Sequence, residues 1–173
     1  MRTGLTVNHE GHPIGSLYGY EAIGYFQTAD EVANSPKQFG AVAPGDIKYK
    51  DQNADNLINE YDEVTMGYST LIPEIYYGIH LGVGYKGLNL HALFQGVSNY
   101  SVVRNMDGYY WTLKNNTNIS QHYLENRWTV DNQDAMYPRF TTLDNKNNFR
   151  SNSTWLENGA FLKLRNIDLT YAL

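Results

Sequence analysis

The chain has 173 residues, 13 Lys+Arg against 18 Asp+Glu, and no cysteine. That length suits one ordinary domain with a sizeable core, and the acidic balance argues against non-specific nucleic-acid binding, which needs basic patches to neutralise phosphates. The missing cysteines exclude disulfides, thiolate zinc sites and a Cys nucleophile, and no stretch approaches the roughly 18 consecutive apolar residues of a membrane-spanning helix.

The first residues, Met1-Arg2-Thr3-Gly4-Leu5, carry no apolar run and no small-residue cleavage site, so they do not read as a signal peptide. Thr3, Leu5 and Val7 alternate with Gly4, Thr6 and Asn8, which predicts a strand over about 1–9. His9-Glu10-Gly11-His12 follows. Its glycine breaks any helix and the spacing suits no metal helix motif, so a solvated turn is expected.

Residues 10–73 read as a long loop, far beyond the roughly 12–15 residues that compact domains tolerate without a function. Thr28 is placed to cap a short helix over Ala29–Ala33, stopped before Pro36. Further on, Asp51, Asn53, Asp55 and Asp62 stand at positions one, three, five and twelve of an EF-hand-like loop. Leu57 would offer a backbone carbonyl, and Asn59 a direct or water-mediated contact. Calcium needs six to eight oxygens on a sharply curved backbone, which gives that spacing a physical reason. The usual Gly at position six is Asn56, the last ligand is Asp rather than Glu, and no helices flank the loop. The alternative is an acidic loop rich in Asx turns.

The strongest periodicity runs from Glu74 to Gly96. Ile75, Tyr77, Ile79, Leu81, Val83 and Tyr85 alternate with Tyr76, Gly78, His80, Gly82 and Gly84. After Lys86-Gly87, Leu88, Leu90, Ala92 and Phe94 alternate with Asn89, His91, Leu93 and Gln95. A two-residue turn makes Tyr85 and Leu88 face each other, so both apolar sets share one side of a hairpin, strands 74–85 and 88–98. The other side carries His80, Asn89, His91 and Gln95. Apolar residues on one side, with aromatics near the turn and polar residues opposite, suit a transmembrane barrel strand facing lipid and lumen. A hairpin of a soluble sandwich fits the same alternation.

Residues 99–158 form a second long loop. Tyr109-Tyr110-Trp111 within it could stack on sugars, meet a partner, or pack within the loop. Ser120 would cap a helix reaching about Trp128. Asn-X-Ser/Thr triplets at Asn99, Asn115, Asn118 and Asn152 are expected by chance in so Asn-rich a chain. A last strand over about 160–173 begins with mixed sides, Phe161, Lys163 and Arg165 against Leu162 and Leu164, then alternates cleanly through Ile167, Leu169, Tyr171 and Leu173. Both chain ends read as cut rather than finished. No Ser/His/Asp set, phosphate-cradling Gly loop or paired-carboxylate site stands out, so no catalytic residue is expected.

Several segments, in order along nearly the whole chain, resemble one family. Arg127-Trp128-Thr129-Val130-Asp131-Asn132-Gln133-Asp134-Ala135-Met136-Tyr137-Pro138-Arg139 resembles the RWTPENPNAxYPR signature of SusC/RagA-type TonB-dependent outer-membrane transporters, with Val130-Asp131 in place of Pro-Glu. Ser153-Thr154-Trp155-Leu156-Glu157-Asn158-Gly159-Ala160-Phe161-Leu162-Lys163-Leu164-Arg165-Asn166-Ile167 is similar to the family's SxxWLEDGSYLRLKNI segment. Pro44-Gly45-Asp46-Ile47-Lys48-Tyr49-Lys50-Asp51 and the acidic loop resemble PGDIKYKDVNGDGxI, with Ala54 and Asn56 where the family has Gly. Gly15–Tyr20 and Tyr85-Lys86-Gly87-Leu88 also fit.

The resemblance implies an all-β fold: about four strands of a 22-stranded barrel, with two outer loops bearing short helices and the plug domain absent. It implies TonB-energised import of glycans or peptides with a SusD-like lipoprotein, across the outer membrane of a Gram-negative bacterium. The hairpin would then face lipid, and the protein would not be an enzyme. The alternative from another class is a secreted or surface β-sandwich binding module with a dockerin-like calcium loop. A hydrolase has no acid/base pair to support it.

Overall fold

The computed structural model describes residues 2–3, 6–7, 11–12, 14–104, 118–142 and 145–172. Its longest elements are the hairpin strands β7 (Ile75–Tyr85) and β8 (Leu88–Ser98), paired from Ile75↔Ser98 down to Tyr85↔Leu88. Lys86 and Gly87 both take positive φ, 47° and 85°, as a two-residue turn between right-twisted strands requires. The register puts Val83 opposite Leu90 and Ile79 opposite Phe94, so the two apolar sets do share one face.

The last long strand, β11 (Phe161–Tyr171), pairs antiparallel with the other edge of β8, giving the order β11-β8-β7. Its register shifts once: Leu164 pairs with Phe94, and Asn166 pairs with Leu93. Arg165 is the extra residue of a β-bulge. Leu162 and Leu164 thereby share a face with Ile167, Leu169 and Tyr171. The mixed pattern in the sequence is two apolar stretches of opposite phase, joined by that bulge.

Beyond Asn99-Tyr100 the ladder resumes as β9 (Ser101–Val103) against β10 (Leu156–Asn158). Across the break, the Gly159 N–H donates to the Tyr100 carbonyl at 2.8 Å. The segments expected as long loops hold more short strands: β3 (Leu17–Tyr20) pairs with β6 (Glu63–Met66), and β4 (Ala22–Tyr25) with β5 (Ile47–Tyr49). Near the start, one strand was expected over 1–9. Instead β1 (Arg2–Thr3) folds back on β2 (Thr6–Val7), with Arg2↔Val7 and Thr3↔Thr6 as partners, which one continuous strand cannot provide.

Two helices stand where the caps place them. The Glu31 N–H donates to Thr28 Oγ1 (3.1 Å) to start α1 (Ala29–Ala33). The Tyr123 N–H donates to Ser120 Oγ (3.1 Å) to start α2 (Gln121–Asn126). This second helix ends before Trp128 because the Trp128 N–H turns to the Tyr137 carbonyl (2.8 Å). The Gln27 backbone N–H and the Lys48 ammonium, both on the Glu31 carboxylate, hold its pKa below the usual glutamate range. This attachment of α1 to β5 is fully present above the ordinary glutamate pKa of about 4.3. It is lost as pH falls through the depressed value.

The buried core lies in the cap built from the two loop regions. Tyr20, Ile47, Tyr49, Ile58, Tyr123, Tyr137 and Trp155 cluster there, each nearly inaccessible. Tyr123 stacks on Tyr137 with ring centroids 4.6 Å apart. The three-stranded sheet below is bare: every residue of β7 and β11 is exposed.

Candidate functional site

Alternation and register together expose a continuous apolar surface. Ile79, Leu81 and Val83 of β7, Leu88 and Leu90 of β8, and Leu164, Ile167 and Leu169 of β11 are each between 37% and 65% accessible. Leaving a large aliphatic side chain in water rather than burying it costs about 1.5–3 kcal/mol. A surface this wide is therefore not adapted to water, and a monomeric soluble domain rarely carries one. No second sheet packs over it among the described strands, as a sandwich would require. The aromatics Tyr85 and Tyr171 lie at the turn end, where amphipathic rings suit a membrane interface.

The opposite face holds the polar set. His80, Asn89, His91 and Gln95 all project from it, opposite Leu93, Gly84, Gly82 and Gly78 respectively. The two histidine rings stack at 5.3 Å and 7°. His91 Nδ1 is buried without a hydrogen-bond partner, and a Cβ on Gly82 would come within 2.8 Å of it. Stacked parallel rings do not converge their nitrogens on one ion. The pair lines this face.

The cap is held by one buried carboxylate. Asp46, fully inaccessible, accepts Arg139 Nε at 2.8 Å and Nη2 at 3.1 Å. It also accepts the side-chain amides of Asn145 (2.9 Å) and Asn148 (3.0 Å) and the Ala43 N–H (2.8 Å). Asn148 Oδ1 in turn accepts the Ile47 N–H, and Asn147 donates to the Ile47 carbonyl. Gly45 is obligatory beside this knot: its φ is +86°, and a Cβ would lie 2.4 Å from the Trp128 ring. A second tie joins β9 to β10 and the core, where the Arg104 guanidinium meets Glu157 and the Tyr137 hydroxyl. Neither tie is legible in the sequence, because its side-chain partners lie 33 to 102 residues apart. The clue available, the Asn-rich run at 145–148, reads there only as loop composition.

The acidic loop is curved by its own bonds. Asp51 accepts the N–H groups of Ala54 (2.7 Å) and Asn56 (2.8 Å), Asn53 that of Asp55, and Asp55 that of Leu57. Asp62 accepts Gln52 and Asn59, and Asn59 accepts Tyr61. Among the described residues no three His, Cys, Asp or Glu side chains are grouped to hold a metal. Ala54 and Asn56 have φ of 60° and 64°, the left-handed region where the resembled family has Gly. Ala54→Gly should therefore stabilise the loop by about 0.5–1 kcal/mol, read as a rise in its local unfolding free energy by hydrogen exchange. Asp51→Ala should open residues 46–64 to protease severalfold, with or without millimolar calcium. Protection that depends on calcium in the unaltered protein would instead establish the ion.

Tyr109, Tyr110 and Trp111 lie outside the described residues.

No family model matches the chain. It is nonetheless distantly homologous to TonB-dependent receptors over most of its length. TonB-dependent receptor P26 of Formosa agariphila is 26% identical over 162 residues, covering 93% of this chain, and receptor P3 of the same organism is 24% identical over 169 residues, covering 95%. Among solved structures, the likeness is to the RagAB transporter, of SusC/RagA type. The RagAB peptide transporter matches with TM-score 0.57 and 24% identity, and the RagAB peptide importer in its open-open state with 0.51 and 26%, each covering 90% of this chain. The chain spans 16% of the length of each of these four. They are named as receptors or transporters, none as an enzyme. The fold is mostly antiparallel β with a few short helices, it corresponds to part of the RagA barrel, and the described strands close no barrel.

Proposed function

We propose that this chain is a piece of the barrel of an outer-membrane nutrient importer, energised through TonB and working with a SusD-like lipoprotein. The bare apolar face carries this reading. Strands of 11 residues match the roughly 9–11 that a tilted transmembrane strand needs. Lipid would cover that face, and the His80–His91 side would line the lumen. The Lys86-Gly87 turn would lie in the periplasm and the aromatic cap outside, toward substrate and lipoprotein. The relatives solved as RagAB are a peptide transporter, which favours peptides over glycans as cargo. Catalysis plays no part. The sandwich alternative fails to cover the apolar face.

The test uses the full-length protein that contains this chain. Its expected behaviour is outer-membrane fractionation, heat-modifiable electrophoretic mobility, and peptide uptake that stops when TonB is removed. Recovery as a soluble monomer, with Leu81 and Leu169 shielded from water, would sink the reading.

A further inference from the structure

At the cap end of the sheet, the polar face is hollow. A cavity of about 440 Å³ opens there, bounded by Tyr76, Gly78, Gln95, Phe161, Lys163 and Arg165. We propose that it binds the carboxylate of a ligand that also carries an aromatic or apolar group, which deepens the importer reading by assigning a lumen-side subsite for anionic cargo.

Charge comes first. The chain carries a net −5, yet two cations and no carboxylate line this cavity. Elsewhere Lys48, Lys50, Arg104 and Arg139 each pair with a carboxylate. Lys163 and Arg165 have no such ion pair among the described residues, and the Lys163 ammonium sits 5.1 Å from the Phe161 ring centroid. Two fixed cations at alternate positions of one strand give a carboxylate a charge-assisted site, with the guanidinium able to grip both oxygens. The cross-strand row Gly78-Gln95-Lys163 adds an amide beside them.

Shape comes second. Tyr76, Val97 and Phe161 form the neighbouring row, an apolar wall for the rest of the ligand. Tyr77 and Gly96 also border the cavity, where the Tyr77 hydroxyl crosses Gly96 to donate to the Phe161 carbonyl at 3.1 Å and ties β7 to β11. Gly78 leaves the floor open, since a Cβ there would meet only the Phe94 carbonyl, at 3.8 Å. Lys163 pairs with Gln95 on the face away from the bare apolar surface, which sets it apart from lipid phosphate.

The probe is N-acetyl-phenylalanine against its amide, titrated calorimetrically into the detergent-solubilised full-length protein. The acid should bind saturably and the amide about tenfold more weakly or worse. Lys163→Gln and Arg165→Gln should each weaken the acid about tenfold. Gly78→Leu, which fills the floor without a backbone clash, should abolish binding. Equal affinity for acid and amide, no saturable binding, or binding untouched by all three variants would each overturn the proposal. The barrel reading is scored separately by fractionation and heat-modifiable mobility, so either can fail alone.

Discussion

Leu81→Arg should destabilise the membrane-inserted protein by about 2–4 kcal/mol, and His80→Arg, one residue away, by almost nothing. The two side chains are neighbours in sequence and sit on opposite faces of β7. Leu81 stands at mid-strand, in the row Leu81-Ala92-Ile167, on the exposed apolar face. If lipid covers that face, arginine there must drag its charge to the bilayer midplane. His80 points the other way, toward the polar face, which already holds two imidazoles and, one row on, Asp168, and which in the same reading is a wet lumen. The penalty should fade toward the turn, with Tyr85→Arg costing about 0–1 kcal/mol. The measurement is denaturant unfolding of the full-length protein in lipid vesicles. Equal costs at 80 and 81 would show that the face is covered by something other than lipid.

Asp46→Ala should unfold the cap at a cost of about 3–5 kcal/mol, the range for stripping one partner from a buried ion pair. The substitution removes the acceptor of five hydrogen bonds at once. It leaves the amides of Asn145 and Asn148, both from buried residues, without a partner, and Arg139 without its carboxylate. Because Asn147 and Asn148 also hold β5, the damage should spread to Tyr49 and the aromatic core. Arg139→Lys keeps a charge but loses the fork. With the arginine side chain 32% accessible, it should cost only about 1–2 kcal/mol. Limited proteolysis in the cap, compared with heat-modifiable mobility of the barrel, separates the two effects: the first should change and the second should not.

The hairpin was legible because period two is a local property. Each of Ile75 to Leu90 declares its face by its neighbours, and Lys86-Gly87 declares the turn. Thr28 and Ser120 announced their helices for the same reason, since a cap is read within three residues. The strands of the cap were hidden. At three or four residues, β3 to β6, β9 and β10 are too short for alternation to register. Their cohesion comes from Asp46, Arg139, Asn148 and Trp155 meeting from distant parts of the chain. The acidic loop shows a third kind of limit. Its spacing was visible, but Asx turns and calcium ligation use the same oxygens at the same positions. The cationic cavity needed β7, β8 and β11 side by side, a juxtaposition that no single strand contains.

Arg165 gives the last strand a parity. On its cap side the residues of the apolar face have even numbers, Leu162 and Leu164; on its turn side they have odd ones, Ile167, Leu169 and Tyr171. Deleting that single residue would restore an unbroken alternation and leave both halves in phase, since Leu164 would still meet Phe94 and Asn166 would still meet Leu93. Adding a residue beside the bulge would do the opposite, moving Leu162 and Leu164 to the polar face and Lys163 to the apolar one. Arg165 is therefore the one position of this strand where a single deletion keeps every face, and a reporter or epitope placed elsewhere in it must carry an even number of residues.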